Sequence, residues 1–401
     1  MLESLGFTIE RELPNGLGRA GVIKTAHGEI KTPAFMAVGT QGAVRFVDMS
    51  SLRTTGAQAM LSNGYHLRKL APAIAQQGGL AAWSGWHGPT LTDSGGFQVM
   101  SLGSGLGKVV SMDRKLPNTP KKDRLALVSD RGVDFTDPFT GEREFIGPEE
   151  SMEIQTQIGA DIHMAFDELT SLGDDYDYNV RAMFRTEKWA ARSLKKHLLV
   201  RDSLGYRQNL YGVLQGGHWE DLRRHTAQTL GSMGFDGYGL GGAFLKEQLG
   251  DILRWCNEEL PKIKPRHLLG LSRPDDLFVG AEYGADTFDC VAPTREARHG
   301  RIYTKDGEIY LRKFADSSEP LDKDCDCATC HAGHTRGELR ALWKSPNLAD
   351  KQLYYRLASV HNLRFTVHLL EDIRTSILNH TFYEFKHDFL TRYYGRDKML
   401  T

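Results

Sequence analysis

The segment Leu210-Tyr211-Gly212-Val213-Leu214-Gln215-Gly216-Gly217 decides how this chain is read. Its apolar run is too short for a stable helix and suits a buried strand, and a glutamine followed by two glycines ends it. Just beyond, Trp219-Glu220-Asp221 opens a helical pattern with acids in the first turn, where the helix dipole favours negative charge. The next apolar run, Tyr238 to Leu240, stops in turn at Gly241-Gly242. Strand, loop, helix and strand in that order make a parallel pair joined by a crossover.

The same unit recurs along the chain. Ala59-Met60-Leu61 stops at Asn63-Gly64-Tyr65-His66, Thr90-Leu91-Thr92 at Asp93-Ser94-Gly95-Gly96, and Ile162 to Phe166 at Asp167. His267 to Leu271 stops at Ser272, and Thr287-Phe288 at Asp289. Further helices start at Pro148-Glu149-Glu150 and at Ser272-Arg273-Pro274-Asp275-Asp276, with proline and acids in the first turn. Repetition about seven or eight times predicts an α/β fold, a closed (β/α)8 TIM barrel rather than an open sheet. Chemistry in such barrels gathers at the strand carboxyl ends, where Asp93, Asp167, Gln215, Gly242 and Asp289 fall.

The whole chain, 1–401, therefore reads as one catalytic barrel domain with the helices from Leu348 to Tyr394 completing its outer ring. Residues 102–140 break the rhythm; with Gly103, Gly105, Gly107, Pro117 and Pro120 among many charges they predict a long loop insertion, a lid or hairpin. Met164 and Phe166, two apart, are expected to pack the barrel, and His66 and His163 to be satisfied core histidines. Cys290 should face away from Asp289 as inert core.

A second interruption, residues 303–361, carries three of the five cysteines, Cys325, Cys327 and Cys330, as C-x-C-x2-C. That spacing suits a metal site rather than a disulfide framework. Zinc takes four soft or borderline ligands in a tetrahedron, and three thiolates with one imidazole fill it and leave no position open for chemistry. The segment is thus expected to be a zinc-binding subdomain with one structural Zn2+ per chain. His331 and His334 share the loop, but His361 is the favoured fourth ligand: it ties the loop to a later helix, whereas His331 adjoins Cys330 and would strain the tetrahedron.

A formal net charge of -1 excludes global steering toward a polyanion, so a nucleic acid must be met by local basic patches. Candidates are Lys108 to Arg124, with Arg114, Lys115, Lys121 and Lys122; Arg295 through Arg298, His299 and Arg301 to Lys305; and Arg336, Arg340 and Lys344. Met1-Leu2-Glu3-Ser4 lacks the basic and apolar regions of a leader, and no run nears the roughly 18 apolar residues of a membrane span. The expected location is the cytoplasm, where Cys256 and Cys290 stay reduced.

Three aspartates at strand ends invite a mechanism with more than one carboxylate. A carboxylate nucleophile and a carboxylic acid on opposite sides of a sugar carbon exchange its substituent with retention. The remaining strand-end groups suit a flat heterocycle. An aspartate accepts two parallel N–H donors from a guanine-like edge, a glutamine amide donates to its carbonyl, and glycines let backbone approach the ring.

Taken together, Thr92-Asp93-Ser94-Gly95-Gly96-Phe97-Gln98, Phe166-Asp167-Glu168, Val213-Leu214-Gln215-Gly216-Gly217, Gly241-Gly242 and Phe288-Asp289-Cys290-Val291-Ala292-Pro293-Thr294-Arg295 resemble, in their order, the tRNA-guanine transglycosylases of bacterial type. The cysteine motif with His361 belongs to the same likeness. The resemblance implies replacement of guanine at the tRNA anticodon wobble position by a 7-deazaguanine, in queuosine biosynthesis. It implies Asp289 as nucleophile on the ribose and Asp93 as general acid/base. Asp167, Gln215 and the Gly241-Gly242 backbone then hold the base, with Phe97 stacking on it and Ser94 nearby. The flipped base needs such a pocket to offset roughly a few kcal/mol of unstacking. Arg295 and Arg298 grip RNA phosphates, and the resemblance also implies a homodimer.

Two positions depart from the family pattern. Leu169 follows Phe166-Asp167-Glu168, where members using the aminomethyl base preQ1 carry cysteine and queuine users valine. Leu245 stands where members that accept queuine have glycine. A bulky Leu245 predicts a compact substituent, hence preQ1 first, then preQ0 or guanine, then queuine, with Glu247 left for amine or backbone contacts. DNA as the polymer, or a metal-dependent hydrolase using His66 and His163, are the alternatives; the hydrolase lacks a paired-histidine motif at a first strand. No added RNA-binding domain fits after residue 394, and the presence of Asp289 argues against a non-catalytic partner subunit.

Overall fold

A computed structural model describes residues 6–104, 126–138 and 140–395. Its strands, in chain order, are β1 (Phe7–Glu12), β2 (Arg19–Thr25), β3 (Gly28–Thr32), β4 (Ala34–Gly39), β5 (Ala59–Ser62), β6 (Thr90–Thr92), β7 (Ala126–Val128), β8 (Val133–Thr136), β9 (Arg143–Ile146), β10 (Ile162–Met164), β11 (Asn209–Leu214), β12 (Gly237–Leu240), β13 (Arg266–Leu268), β14 (Thr287–Asp289), β15 (Arg301–Thr304) and β16 (Gly307–Tyr310). Eight of them close a barrel in the order β4-β5-β6-β10-β11-β12-β13-β14, and β14 pairs back onto β4. All the barrel pairs are parallel. This is the expected (β/α)8 fold.

Alternation along each strand divides the apolar residues between two cores. Met36, Leu61, Leu91, Ile162, Met164, Tyr211 and Val213 fill the barrel interior. Their neighbours Phe35, Met60, Leu210, Leu214 and Phe288 face outward into the larger core under the helices. Both faces are covered, so these strands read as continuous apolar runs.

The helices begin where their first-turn residues announced them, at Pro148–Ile158, Glu220–Gly231 and Pro274–Glu282. The antiparallel sheet β1-β2-β3 lies at the amino end of the barrel, where Ile23 and Ile30 join the interior core. Arg19 of β2 pairs there with Asp286 at 2.7 Å, both buried. The long helix Leu348–Leu378 runs beside this end, and Arg374 donates to the carbonyls of Gly21 and Thr32 at 2.9 and 2.7 Å.

Several expectations need correction. Strand β10 stops at Met164, so Phe166 does not fill the barrel; it packs outside on Trp189 with ring centroids 5.0 Å apart. His66 is only half-buried, on the short helix Gly64–Leu67. His163 is buried, but neither ring nitrogen has a hydrogen-bond partner among the described residues, and its ring meets that of His197 edge-on at 5.7 Å. Cys290 lies just past β14, partly buried against the outer core, and burial pushes its thiol up to about 11, which keeps it inert. Of the 102–140 insertion, Ala126–Val128 and Val133–Thr136 pair as an antiparallel hairpin, which β9 extends to a three-stranded sheet. The basic patch Lys108 to Arg124 lies outside the described residues.

In the two other expected basic patches, some of the cations are paired with acids. Arg301 pairs with Glu296 and Glu308, Lys305 with Asp324, and Arg336 with Glu319. Among the described residues, no helix is long and apolar enough to cross a membrane.

Candidate active site and metal centre

The carboxyl ends of β5, β6, β10, β11, β12, β13 and β14 converge at one mouth of the barrel, and each supplies a polar group. Asp93, after β6, accepts from the amides of Gly64 and Gly95 at 2.9 and 3.2 Å and from the side chains of Asn63 and Gln98 at 2.5 and 3.3 Å. Those donors favour its charged form, yet burial outweighs them, and the charge of Asp289 adds to the effect. The Asp93 carboxyl is pushed up to about 7.

Asp167, after β10, is pushed up to about 6 by burial, against the donors that hold it. Gln215 Nε2 donates to its Oδ2 at 2.7 Å and Ser94 Oγ to its Oδ1 at 3.2 Å. Gln215 Oε1 has no partner among the described residues. Behind this pair, Gly242 has φ +103°, and a Cβ there would stand 3.1 Å from Gln215 Oε1 and 2.6 Å from Arg223 Nη2. Only glycine fits.

Arg223, which sequence reasoning missed, is wholly buried without a carboxylate partner. Its Nε donates to the Gly217 carbonyl at 2.7 Å and its Nη1 to the Gly241 carbonyl at 2.8 Å. It thereby clamps the glycine loops after β11 and β12 together, which places Gly241 and Gly242 against Gln215. Asn63 and Gln98 were likewise missed. A residue's hydrogen bond across two loops leaves no local pattern in the chain.

Asp289, at the end of β14, accepts at Oδ1 from Gly270 N at 3.0 Å and lies 3.2 Å from His267 Nε2. Oδ2 accepts no hydrogen bond among the described residues. Phe97 is 40% exposed at the start of the helix Gly96–Ser104, its ring free to meet a base. Asp93, Ser94, Asp167, Gln215, Gly241 and Gly242 thus form one connected set, with Asp289 coupled to it through charge. Glu247 stands apart, exposed on a short turn whose Leu245 N is held by Gln248 at 3.1 Å.

A model of the family described as queuine tRNA-ribosyltransferase matches residues 15–395. The chain belongs to that family. It is 40% identical to the queuine tRNA-ribosyltransferase of Caldanaerobacter subterraneus over 94% of this chain and 94% of the relative. The Streptococcus uberis protein of the same name is also 40% identical, over 96% and 95%. Its Staphylococcus epidermidis counterpart is 39% identical over 94% and 93%. The chain is accordingly an enzyme, a tRNA-guanine transglycosylase, and the barrel mouth is where its polar groups meet.

Two further features of this transglycosylase lie near or beyond the mouth. Arg295 and Arg298 sit on the helix Ala292–Arg298, directly after β14, with Arg295 exposed. Arg298 is lowered from its usual range by burial and by the like charges of Arg45 and Arg295, and its Nη1 has no partner among the described residues. Arg45 is a third cation that the sequence did not single out.

The second feature is a Cys3His cluster. Cys325, Cys327, Cys330 and His361 bring their ligand atoms within 4.8 Å of one another, and the described residues contain no other such group of three or more. The three sulfurs lie 3.6, 3.4 and 3.3 Å from His361 Nδ1. His361 Nε2 donates to the Tyr303 carbonyl at 2.7 Å, which turns the Nδ1 lone pair toward the thiols. These residues can hold a metal ion.

Proposed function

We propose that this enzyme replaces guanine at the tRNA anticodon wobble position with a 7-deazaguanine, preQ1 in the first place, through a covalent aspartyl-ribose intermediate. One observation carries the reading: burial holds the Asp93 carboxyl up to about 7, close to an Asp289 whose Oδ2 accepts no hydrogen bond among the described residues. A nucleophile must be ionised and unencumbered, and a general acid must hold a proton near neutral pH.

In this reading Asp289 Oδ2 attacks ribose C1′. The C1′–O bond forms as C1′–N9 breaks, and guanine leaves with the bonding pair and the Asp93 proton. The incoming base gives its N9 proton to ionised Asp93, its N9 attacks C1′, and the C1′–O pair returns to Asp289. Asp167 accepts from the N1–H and 2-amino edge, Gln215 meets the carbonyl side, and Phe97 stacks on the face. Arg45, Arg295 and Arg298, gathered with no neutralising carboxylate among the described residues, suit the phosphates beside the reacting sugar.

Support for preQ1 comes from Leu245, which replaces the glycine expected of queuine users, though its side chain is 49% exposed. The relatives' name, queuine tRNA-ribosyltransferase, favours queuine as the second reading. The metal is read as zinc. Bonds of about 2.3 Å to sulfur and 2.0 Å to nitrogen in a tetrahedron need S···N edges of about 3.5 Å, and the cluster has edges of 3.3 to 3.6 Å. A metal with four protein ligands holds structure and supplies no chemistry at the mouth. The polymer places the enzyme in the cytoplasm.

The test is incorporation of labelled guanine into a panel of tRNAs and into duplex DNA, followed by competition with preQ1, preQ0 and queuine. Loss of label from tRNA fastest with preQ1 is expected. Label in DNA alone overturns the polymer, and faster exchange of queuine overturns the base.

A further inference from the structure

We infer that His267 is the positioning residue of the nucleophile, fixing Asp289 Oδ1 so that Oδ2 is the attacking atom. The inference rests on Asp289 being the nucleophile. His267 and Thr287 are register partners on β13 and β14, and Asp289 lies two residues on, on the same side of its strand. The three side chains therefore form a row. His267 Nδ1 lies 2.9 Å from Thr287 Oγ1, and Nε2 lies 3.2 Å from Asp289 Oδ1.

The imidazole is wholly buried, so its two nitrogens must divide donor and acceptor roles between these neighbours. An ionised Asp289 accepts only, which requires the proton on Nε2. Nδ1 is then an acceptor, and Thr287, whose hydroxyl is free to rotate, donates to it. Thr287 fixes the tautomer and His267 fixes the carboxylate. Gly270 N adds a second donor to the same oxygen at 3.0 Å. Both constraints fall on Oδ1, which turns a freely rotating carboxylate into one with a single available oxygen.

The same bond serves the second half of the reaction. When the incoming base displaces Asp289 from C1′, the electron pair returns to the carboxylate, and the donor at Oδ1 receives part of that charge. A residue acting this way alters the rate of the bond-making steps and leaves base and tRNA binding alone. A histidine that merely packs two strands would instead alter stability.

Three variants test this in the full-length enzyme, with guanine exchange into tRNA as the assay. His267→Leu removes the donor, His267→Gln restores an N–H near the Nε2 position, and Thr287→Val removes the tautomer's support at constant size. The Leu variant should lose about tenfold to a hundredfold in kcat with KM for guanine and tRNA changed less than about twofold, as for one charge-assisted hydrogen bond. The Gln variant should recover most of that loss, and the Val variant should fall between. Unchanged kcat in the Leu and Val variants overturns the inference, as does a Gln variant no better than Leu at equal thermal stability. If Leu does not fold, the Gln and Val pair decides the matter by the same split. A parent enzyme that exchanges no guanine would instead overturn the reading of the site itself.

Discussion

Asp93 is distinguished at the mouth by a burial that favours its protonated form. Asp93 has a folded-state value of about 7, above the ordinary carboxylate range, so it is protonated below that pH and ionised above it. Formation of the aspartyl intermediate needs the protonated form and should slow as pH rises through about 7, which single-turnover release of guanine measures. Linkage has the same sign. A raised carboxylate contributes stability that is full below the unfolded value of about 4 and lost as pH climbs through the folded one. The unfolding free energy of Asp93→Asn minus that of the parent should therefore be larger at pH 8 than at pH 5, by on the order of 2 to 4 kcal/mol. Asp289→Asn should fold normally and release no guanine. Gly242→Ala, with φ +103° and a Cβ forced against Arg223 and Gln215, should raise KM for guanine by about tenfold or more and lower the unfolding free energy by about 1 to 3 kcal/mol. Asp93, Asp167, Gln215 and Asp289 were legible because each is a polar residue that halts an apolar run. Arg223 and Asn63 were not, because Gly241 and Asp93, which they hold, lie on other loops.

Among the elements, the hairpin β15-β16 and the helices after it depend on the Cys3His cluster and on a small core around Ile302, Leu311, Leu339 and Tyr354. Cys327→Ser should reduce bound zinc from one per chain to a small fraction by elemental analysis. It should also speed amide exchange across residues 301–345 while the barrel strands stay protected. His361 was legible as the fourth ligand from chemistry alone, since three thiolates in one loop ask for an anchor elsewhere. Strand β4 was not singled out, although Ala34–Gly39 is as apolar as its neighbours. The sheet β7-β8-β9 was hidden for a different reason. Its strands alternate over only three or four residues each, beside a glycine- and charge-rich stretch that reads as loop.

At the scale of the whole molecule, the closed barrel followed from the repeated unit, whereas the attachments at its amino end did not. The Arg19–Asp286 pair there is buried on both sides, and Asp286 also accepts from Arg266 N at 2.7 Å. Removing one partner strands the other charge. Arg19→Met should cost about 3 to 5 kcal/mol in urea unfolding, and adding Asp286→Asn should return part of it. Ion pairs between residues so far apart in sequence leave no signature in either local segment, so this latch could be found only in three dimensions.

The pairing of β14 with β4 also orders events at the ribosome. The first barrel strand leaves the exit tunnel with its outer edge unmatched and stays so until the last one is made. At ordinary synthesis speeds that interval is on the order of tens of seconds. Asp289 is the final residue of the strand that shuts the ring. On the proposed assignment of Asp289 as nucleophile, a nascent chain holds Asp93, Asp167 and Gln215 before it holds the attacking carboxylate, and base exchange has to wait for closure.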